Sequence, residues 1–267
     1  MSEYLADLME QAWSSMEEVA SQLEATEWDL QTDCPEWTVK DQVSHVTGLE
    51  AKRLGRSEPG EPIQAPHVRN EMGARNERQI VNRRSAAIDD LLDEYRDVTA
   101  ERAKFLRGLS DEEWAAETEG VFGRGPMNEV VKIRILDVFY HDQDIRVATG
   151  RPGAMHGDVA RFVFERMAAA MPFVIGKRAA ATDGQTVVFE VGAPGETFAI
   201  GMSGDRAGPL DQLPDAPTLR LQMDCETFLR LCGGRWTPNR VEEEGRLHVA
   251  GDRDLAERIL SNMAITP

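Results

Sequence analysis

The sequence predicts an α+β protein in two parts, a four-helix bundle followed by a smaller α+β domain. Apolar residues recur every three or four positions through the first half of the chain, which is the spacing of amphipathic helices. From about residue 184 the pattern changes to an alternation of apolar and polar residues, which is typical of half-buried strands. We therefore expect one domain at residues 1–152 and a second at residues 153–267.

Four segments of the first half carry the helical pattern. They are residues 4–24, 38–54, 86–109 and 128–149. Thr38 is a candidate N-cap for the second segment. A loop rich in proline and glycine, residues 57–67, separates the second segment from the third, and the GRGP stretch at 123–126 is interpreted as a turn before the fourth. Four helices joined in this way predict a bundle.

The second half mixes short strands with helices. The expected strands are residues 186–192, 196–202, 218–224 and 246–251, of which the first two flank an Ala-Pro-Gly turn and form a hairpin. The expected helices are residues 157–173, 225–234 and 254–263. This order of elements predicts an α+β domain.

Composition excludes several classes of function. The formal net charge of −17 repels nucleic-acid phosphates and anionic lipid, so neither nucleic acid nor a membrane is an expected partner. No apolar run reaches the roughly 20 residues that span a bilayer, and the acidic N-terminal stretch is unlike a signal peptide. Three cysteines without a CxxC pair predict neither a disulfide framework nor a zinc ribbon. We expect a cytoplasmic protein, monomeric or homodimeric.

A candidate metal site lies in the segment 128–149. This segment is apolar nearly all round, yet Asp137, His141 and Asp144 share one side of the helix at spacings of four and three. A buried carboxylate or imidazole is costly unless it is paired or bound to a metal. An aspartate and a histidine four residues apart can bring two ligands to one ion inside a bundle.

A metal ion would need a further ligand from another element. Of the five histidines, His45 alone falls on another predicted bundle helix, on the flank of its apolar stripe. Two other interpretations stay open at this point. A single histidine near a core is often only a hydrogen-bonded core residue, and Asp142 and Asp144 could be solvated or capping charges.

Two stretches of the first half resemble the signatures of a known family. They are TDCPEWTVKDQVSHVTGLE at residues 32–50 and LDVFYHDQDIRVATGRP at residues 136–152. Both resemble the mycothiol-dependent maleylpyruvate isomerase family, within the DinB-like metal-binding bundles. FLRLCGGRWTP and GRLHVAGDRDLAERIL in the second half resemble the sterol-carrier-like α+β domain of that family.

The resemblance implies a metal triad at His45, Asp137 and His141, the same residues that the spacing indicates. The family commonly has glutamate where this chain has Asp137, and a side chain shorter by one methylene changes the reach of the ligand. Two imidazoles and one carboxylate leave zinc an open coordination position, although this donor set suits other divalent metals too.

The function implied by the resemblance is activation of the mycothiol thiol for attack on a small electrophile, as an isomerase or an S-transferase. Asp144 is expected to accept a hydrogen bond from the His141 ring. Arg235 is a candidate for binding a substrate carboxylate, or else a surface arginine. Two other classes compete with this interpretation. One is a hydrolase with a metal-bound water, and the other is a non-catalytic small-molecule-binding protein.

Overall fold

The computed structural model describes residues 2–120 and 123–266. It divides the chain into two compact units, one that extends to Ala154 and one that begins at Met155. Within the described residues, no helix is long and apolar enough to cross a membrane.

The first unit is helical and contains the predicted four-helix bundle. Its helices are α1 Ser2–Ala20, α2 Val39–Arg53, α3 Glu71–Arg83, α4 Ile88–Gly108, α5 Asp111–Ala115 and α6 Met127–Ala148. Helix α1 packs against α4 and α6, and α2 packs against the same two helices, so these four enclose one core. Thr38 caps α2 as expected, because its side chain accepts a hydrogen bond from the Asp41 amide.

Two features of the first unit differ from the prediction. Helix α3 packs on α2 and lies in a stretch where no helix is expected, because Glu77, Gln79 and Arg83 share its buried face with Ala74 and Ile80 and interrupt the apolar stripe. The stretch 123–126 is not a simple turn. Strand β2 Gly123–Pro126 pairs antiparallel with β1 Glu117–Gly120, and neither strand shows the apolar alternation by which strands are recognised.

The second unit is α+β, as predicted. Its strands are β3 Thr186–Val191, β4 Thr197–Ser203, β5 Arg206–Pro209, β6 Leu219–Met223 and β7 Leu247–Gly251. They form one sheet in the order β5-β4-β3-β6-β7, in which β3 and β6 are parallel and the other neighbours antiparallel. The helices are α7 Asp158–Phe173, α8 Cys225–Cys232, α9 Pro238–Glu243 and α10 Arg253–Leu260.

Aromatic residues form the core of the second unit. Phe189 of β3 stacks on Phe198 of β4 with ring centroids 4.8 Å apart. Phe164 of α7 and Phe228 of α8 pack on each other with centroids 5.4 Å apart, and both contact Phe198. These contacts hold two helices on one face of the sheet.

Candidate metal centre

The three predicted metal ligands lie together in the first unit. His45 is on α2, whereas Asp137 and His141 lie one turn apart on α6, which packs beside α2. One ligand atom from each residue lies within 4.8 Å of the other two. The histidine rings meet edge to face with centroids 4.7 Å apart. Helical spacing on α6 and the pairing of two helices thus produce one cluster of donors.

Two distances in this cluster are close to the separation of ligand atoms around a tetrahedral ion. Nε2 of His45 lies 3.5 Å from Oδ2 of Asp137, and Nε2 of His141 lies 3.5 Å from Oδ1 of the same carboxylate. Two ligand atoms held about 2.0–2.2 Å from a tetrahedral zinc ion are about 3.4 Å apart. The donor set and its spacing therefore suit a divalent metal with two imidazole ligands and one carboxylate ligand.

The protonation states of the cluster also suit metal binding. Burial lowers the pKa of His45 to about 4, so its imidazole is neutral at physiological pH. Burial alone would raise the pKa of Asp137, but the Arg134 guanidinium and the His141 imidazole outweigh it and hold that pKa well below its usual value. A neutral imidazole and an ionised carboxylate are the forms that bind metal ions.

A buried chain of ion pairs supports the carboxylate. Arg134 of α6 pairs with Oδ2 of Asp137, and it also donates to Oε1 of Glu50 on α2 at 2.8 Å. Nε of Arg102 on α4 donates to the other oxygen of Glu50 at 3.2 Å. The side chains of Glu50, Arg102 and Arg134 are at most 4% exposed. Three bundle helices therefore fix the position of Asp137.

Trp37 packs against both histidines. Its ring centroid is 5.0 Å from that of His45 and 5.7 Å from that of His141. Nε1 of Trp37 donates to Oε2 of Glu77 on α3 at 3.2 Å, which fixes the ring. The preceding residue, Glu36, has a left-handed backbone with φ of 63°, so the Cys-Pro-Glu-Trp segment turns sharply and directs the indole inward. This segment of the family signature therefore covers one side of the cluster.

The hydrogen bond predicted from the His141 ring to Asp144 is wrong. Oδ2 of Asp144 lies 3.9 Å from Nδ1 of His141, which is longer than a hydrogen bond. The acceptor is Oε1 of Gln42 on α2, 2.5 Å from the same nitrogen. Asp142 and Asp144 are 1% and 0% exposed, so they are not solvated charges either, and Asp142 pairs with Arg146 one turn away. A part for Asp144 in the reaction stays a prediction.

Arg235 belongs to the second unit. It lies in the bend between α8 and α9, and its Nη1 donates to the Gly233 carbonyl at 3.3 Å. Its side chain is half-buried. Substrate binding by Arg235 stays a prediction.

Several neighbours of the candidate ligands are not predicted from the sequence, although the sequence carries a signal for some of them. Gln42 precedes His45 by three residues and Arg134 precedes Asp137 by three, so each shares a helix face with a ligand. Glu50 occupies a position in the apolar stripe of its helix, which is itself an indication that a buried partner exists. The contact of Trp37 with both ligands depends on a loop conformation that the periodicity does not report.

Fold and site together define a class of protein, a helical bundle with a candidate centre of two histidines and one carboxylate, followed by an α+β domain. The chain belongs to the family described as the mycothiol maleylpyruvate isomerase N-terminal domain, whose family model matches residues 9–146. All three candidate ligands lie inside the matched range.

Solved structures extend the similarity in fold to both units. The structure of a mycothiol-dependent maleylpyruvate isomerase matches with a TM-score of 0.60 and 16% identity, over 94% of this chain and 93% of that one. A histidine-to-alanine mutant of that isomerase matches with the same TM-score and coverage at 15% identity. A sterol carrier protein 2 like 2 from Aedes aegypti matches 36% of this chain and 95% of its own, with 17% identity and a TM-score of 0.28. No curated protein sequence matches the chain.

Proposed function

We propose that the protein is a divalent-metal-dependent isomerase that uses mycothiol as its thiol cosubstrate, with zinc as the metal. One observation carries the proposal. His45, Asp137 and His141 place their ligand atoms within 4.8 Å of one another, in a chain that belongs to the mycothiol maleylpyruvate isomerase N-terminal domain family. A cytoplasmic location is part of the proposal, because a thiol cosubstrate must stay reduced.

A bound metal would act as a Lewis acid and lower the pKa of the mycothiol thiol, so that the nucleophilic thiolate is present at neutral pH. Asp137 is the ligand with a negative charge. With neutral imidazoles beside it, the charge of a divalent ion is only half neutralised, so a thiolate is still attracted. Asp137 has the same charge as the glutamate that is commoner at this position, but its side chain is one methylene shorter.

Neighbouring residues shield one side of the candidate centre from solvent and leave another side exposed. The side chains of His45 and His141 are 1% and 7% exposed, and Trp37 covers both rings. The side chain of Asp137 is 30% exposed. A thiol would therefore approach from the side where Asp137 is exposed. Arg134, which is held by Glu50, keeps the carboxylate in place.

The proposed reaction is a cis-to-trans isomerisation. The thiolate sulfur forms a bond to one carbon of a conjugated cis double bond, the π bond breaks, and rotation follows about the resulting single bond. The carbon–sulfur bond then breaks and the double bond forms again in the trans arrangement. A small unsaturated acid such as maleylpyruvate fits this chemistry. Binding of a carboxylate by Arg235 stays a separate proposal.

The test is an assay of purified protein with maleylpyruvate, in which the trans product is separated and quantified. We expect conversion only when both mycothiol and the metal are present. His141→Ala should lose activity because it loses a ligand, whereas His248→Ala, an exposed histidine on β7, should keep it. Circular dichroism of both variants verifies that they are folded.

The same assay separates the competing functions. Accumulation of a stable mycothiol adduct would indicate an S-transferase. Turnover that does not need mycothiol would point to a hydrolase and contradict the proposal. Absence of turnover with every thiol and electrophile tested would favour a binding protein.

A further inference from the structure

One buried amide connects the metal centre to the loop before α2. Gln42 is 0% exposed and lies between two polar groups. Its Oε1 is 2.5 Å from Nδ1 of His141, and its Nε2 is 2.6 Å from Oγ1 of Thr32. Thr32 is itself 8% exposed. A buried amide held at both ends can adopt only the orientation that its two neighbours accept.

The orientation of the Gln42 side-chain amide follows from the direction in which the Thr32 hydroxyl donates its hydrogen bond. Oγ1 of Thr32 is 2.7 Å from the carbonyl oxygen of Trp37, and two oxygens that close need a proton between them. The carbonyl has no proton, so the threonine hydroxyl donates to it. That hydroxyl can then only accept from Gln42, so the NH₂ group of Gln42 faces Thr32 and its carbonyl oxygen faces His141.

This orientation determines which nitrogen of His141 carries the proton. A carbonyl oxygen accepts a hydrogen bond, so Nδ1 of His141 must be the N–H. The lone pair is then on Nε2, the nitrogen that lies 3.5 Å from Asp137. His45 has no equivalent, because its Nδ1 is without a hydrogen-bond partner in the described ranges 2–120 and 123–266.

The loop before α2 fixes Thr32, which is the end of this series of hydrogen bonds that lies farthest from His141. The Cys34 amide donates to Oγ1 of Thr32 at 3.2 Å, and the Thr32 amide donates to the Trp37 carbonyl at 3.1 Å. Nε2 of Gln31 also donates to that carbonyl at 3.1 Å. The turn that directs the Trp37 ring towards the histidines therefore also determines the direction in which the Thr32 hydroxyl donates its proton.

We propose that Thr32 and Gln42 are positioning residues that hold His141 in the tautomer with its lone pair on Nε2, ready to bind the metal. The effect on metal affinity rests on the proposed function, whereas the tautomer does not. The juxtaposition of loop, amide and imidazole gives a reason for a buried glutamine three residues before His45.

The first test measures the tautomer in the metal-free protein by nitrogen-15 NMR of the histidine rings at mildly alkaline pH. The wild type should show His141 protonated on Nδ1. Gln42→Leu should move the proton of the His141 ring to Nε2, where it can be donated in a hydrogen bond to the Asp137 carboxylate. Thr32→Val leaves the amide free to rotate and should give a mixture, while Thr32→Ser should restore the wild-type signal. His141 protonated on Nε2 in the wild type, or unchanged in Gln42→Leu, would overturn the proposal.

The second test measures zinc affinity by competition with a chromophoric chelator. Gln42→Leu and Thr32→Val should weaken binding by roughly 10- to 100-fold, and Thr32→Ser should not. Ser44→Ala is the matched control on the same helix, because its buried hydroxyl has no hydrogen-bond partner in the described part of the chain. Equal affinity in Gln42→Leu and the wild type would overturn the positioning role. A wild type that shows the expected tautomer but binds no metal would instead refute the proposed function and leave the tautomer assignment standing.

Discussion

At the scale of single residues, the two oxygens of Asp137 have different neighbours. Oδ2 is paired with Arg134 and lies 3.5 Å from Nε2 of His45, whereas Oδ1 lies 3.5 Å from Nε2 of His141. The ion pair with Arg134 fixes the direction of the carboxylate, so that each oxygen is held beside one of the two histidines. The buried arginine also keeps the carboxylate ionised, so Asp137 does not need the metal in order to stay charged.

The cysteines give a prediction at this scale. Burial raises the pKa of the Cys225 thiol to about 11 and that of Cys232 well above its usual value. Below that pKa the thiol stays protonated, and the thiol is not the reactive form. At about pH 8 a thiol reagent should therefore modify Cys34, which is half-buried, and leave the other two unmodified until the protein is unfolded. Rapid modification of all three in the native protein would contradict this.

The clustering of the candidate ligands His45, Asp137 and His141 could be predicted from the sequence, whereas the residues that support them could not. The pairing of Asp137 and His141 follows from the helical repeat alone. His45 is the one histidine on another predicted bundle helix, and the family resemblance points to the same residue. Spacing along α6 indicates Asp144 as the partner of the His141 ring, because spacing relates only residues of the same helix. Gln42 reaches the ring from a neighbouring helix, and only the packing of α2 beside α6 shows it.

At the scale of elements, Glu50 joins three helices of the bundle. It lies on α2 and accepts from Arg102 of α4 and Arg134 of α6, with all three side chains almost fully buried. Removal of one partner from a buried ion pair leaves an uncompensated charge in the core. The network therefore determines both bundle packing and the position of Asp137.

A pair of substitutions tests this network. Glu50→Gln should lower the free energy of unfolding by about 3–5 kcal/mol, because Arg102 loses its carboxylate inside the bundle. Glu10→Gln is the matched control. Its partner Arg107 is also on α4, but this pair is exposed to solvent and should contribute little. Urea unfolding of both variants decides the question, and equal effects would show that the buried network does not hold the bundle together.

Elements with apolar periodicity were predicted, and those without it were not. The four bundle helices and the strands β3, β4 and β6 bury apolar residues, and in β7 the half-buried Leu247 and Val249 alternate with exposed residues. Helix α3 buries Glu77 and Arg83, which pair with Arg84, Glu58 and Glu94, so ion pairs take up part of its buried face and interrupt the apolar stripe. Strand β5 has four residues and pairs with β4 alone, too short for a readable alternation.

At the scale of the whole molecule, the candidate centre lies entirely in the first unit. Its ligands, its buried ion network and the Thr32–Gln42 hydrogen bonds all fall before Ala154. The similarity in fold to a mycothiol-dependent maleylpyruvate isomerase spans both units. The predicted metal binding can therefore be examined in the first unit alone.

A fragment that ends at Ala154 makes this separation. It should fold into helices and bind a divalent metal with an affinity close to that of the full chain, because every candidate ligand is present. Circular dichroism and metal analysis after gel filtration measure both properties. A folded fragment without metal would mean that a residue of the second unit, such as His248, supplies a ligand.

The most direct test of the central claim is calorimetric titration of zinc into the metal-free full-length protein and three ligand variants. The wild type should bind roughly one ion per chain. His141→Ala should lose most of the binding, Asp137→Asn should bind more weakly because the charge is gone, and Asp137→Glu should retain binding through the commoner ligand. Zinc binding by His141→Ala and Asp137→Asn with the stoichiometry and affinity of the wild type would contradict the assignment of His45, Asp137 and His141 as the metal centre.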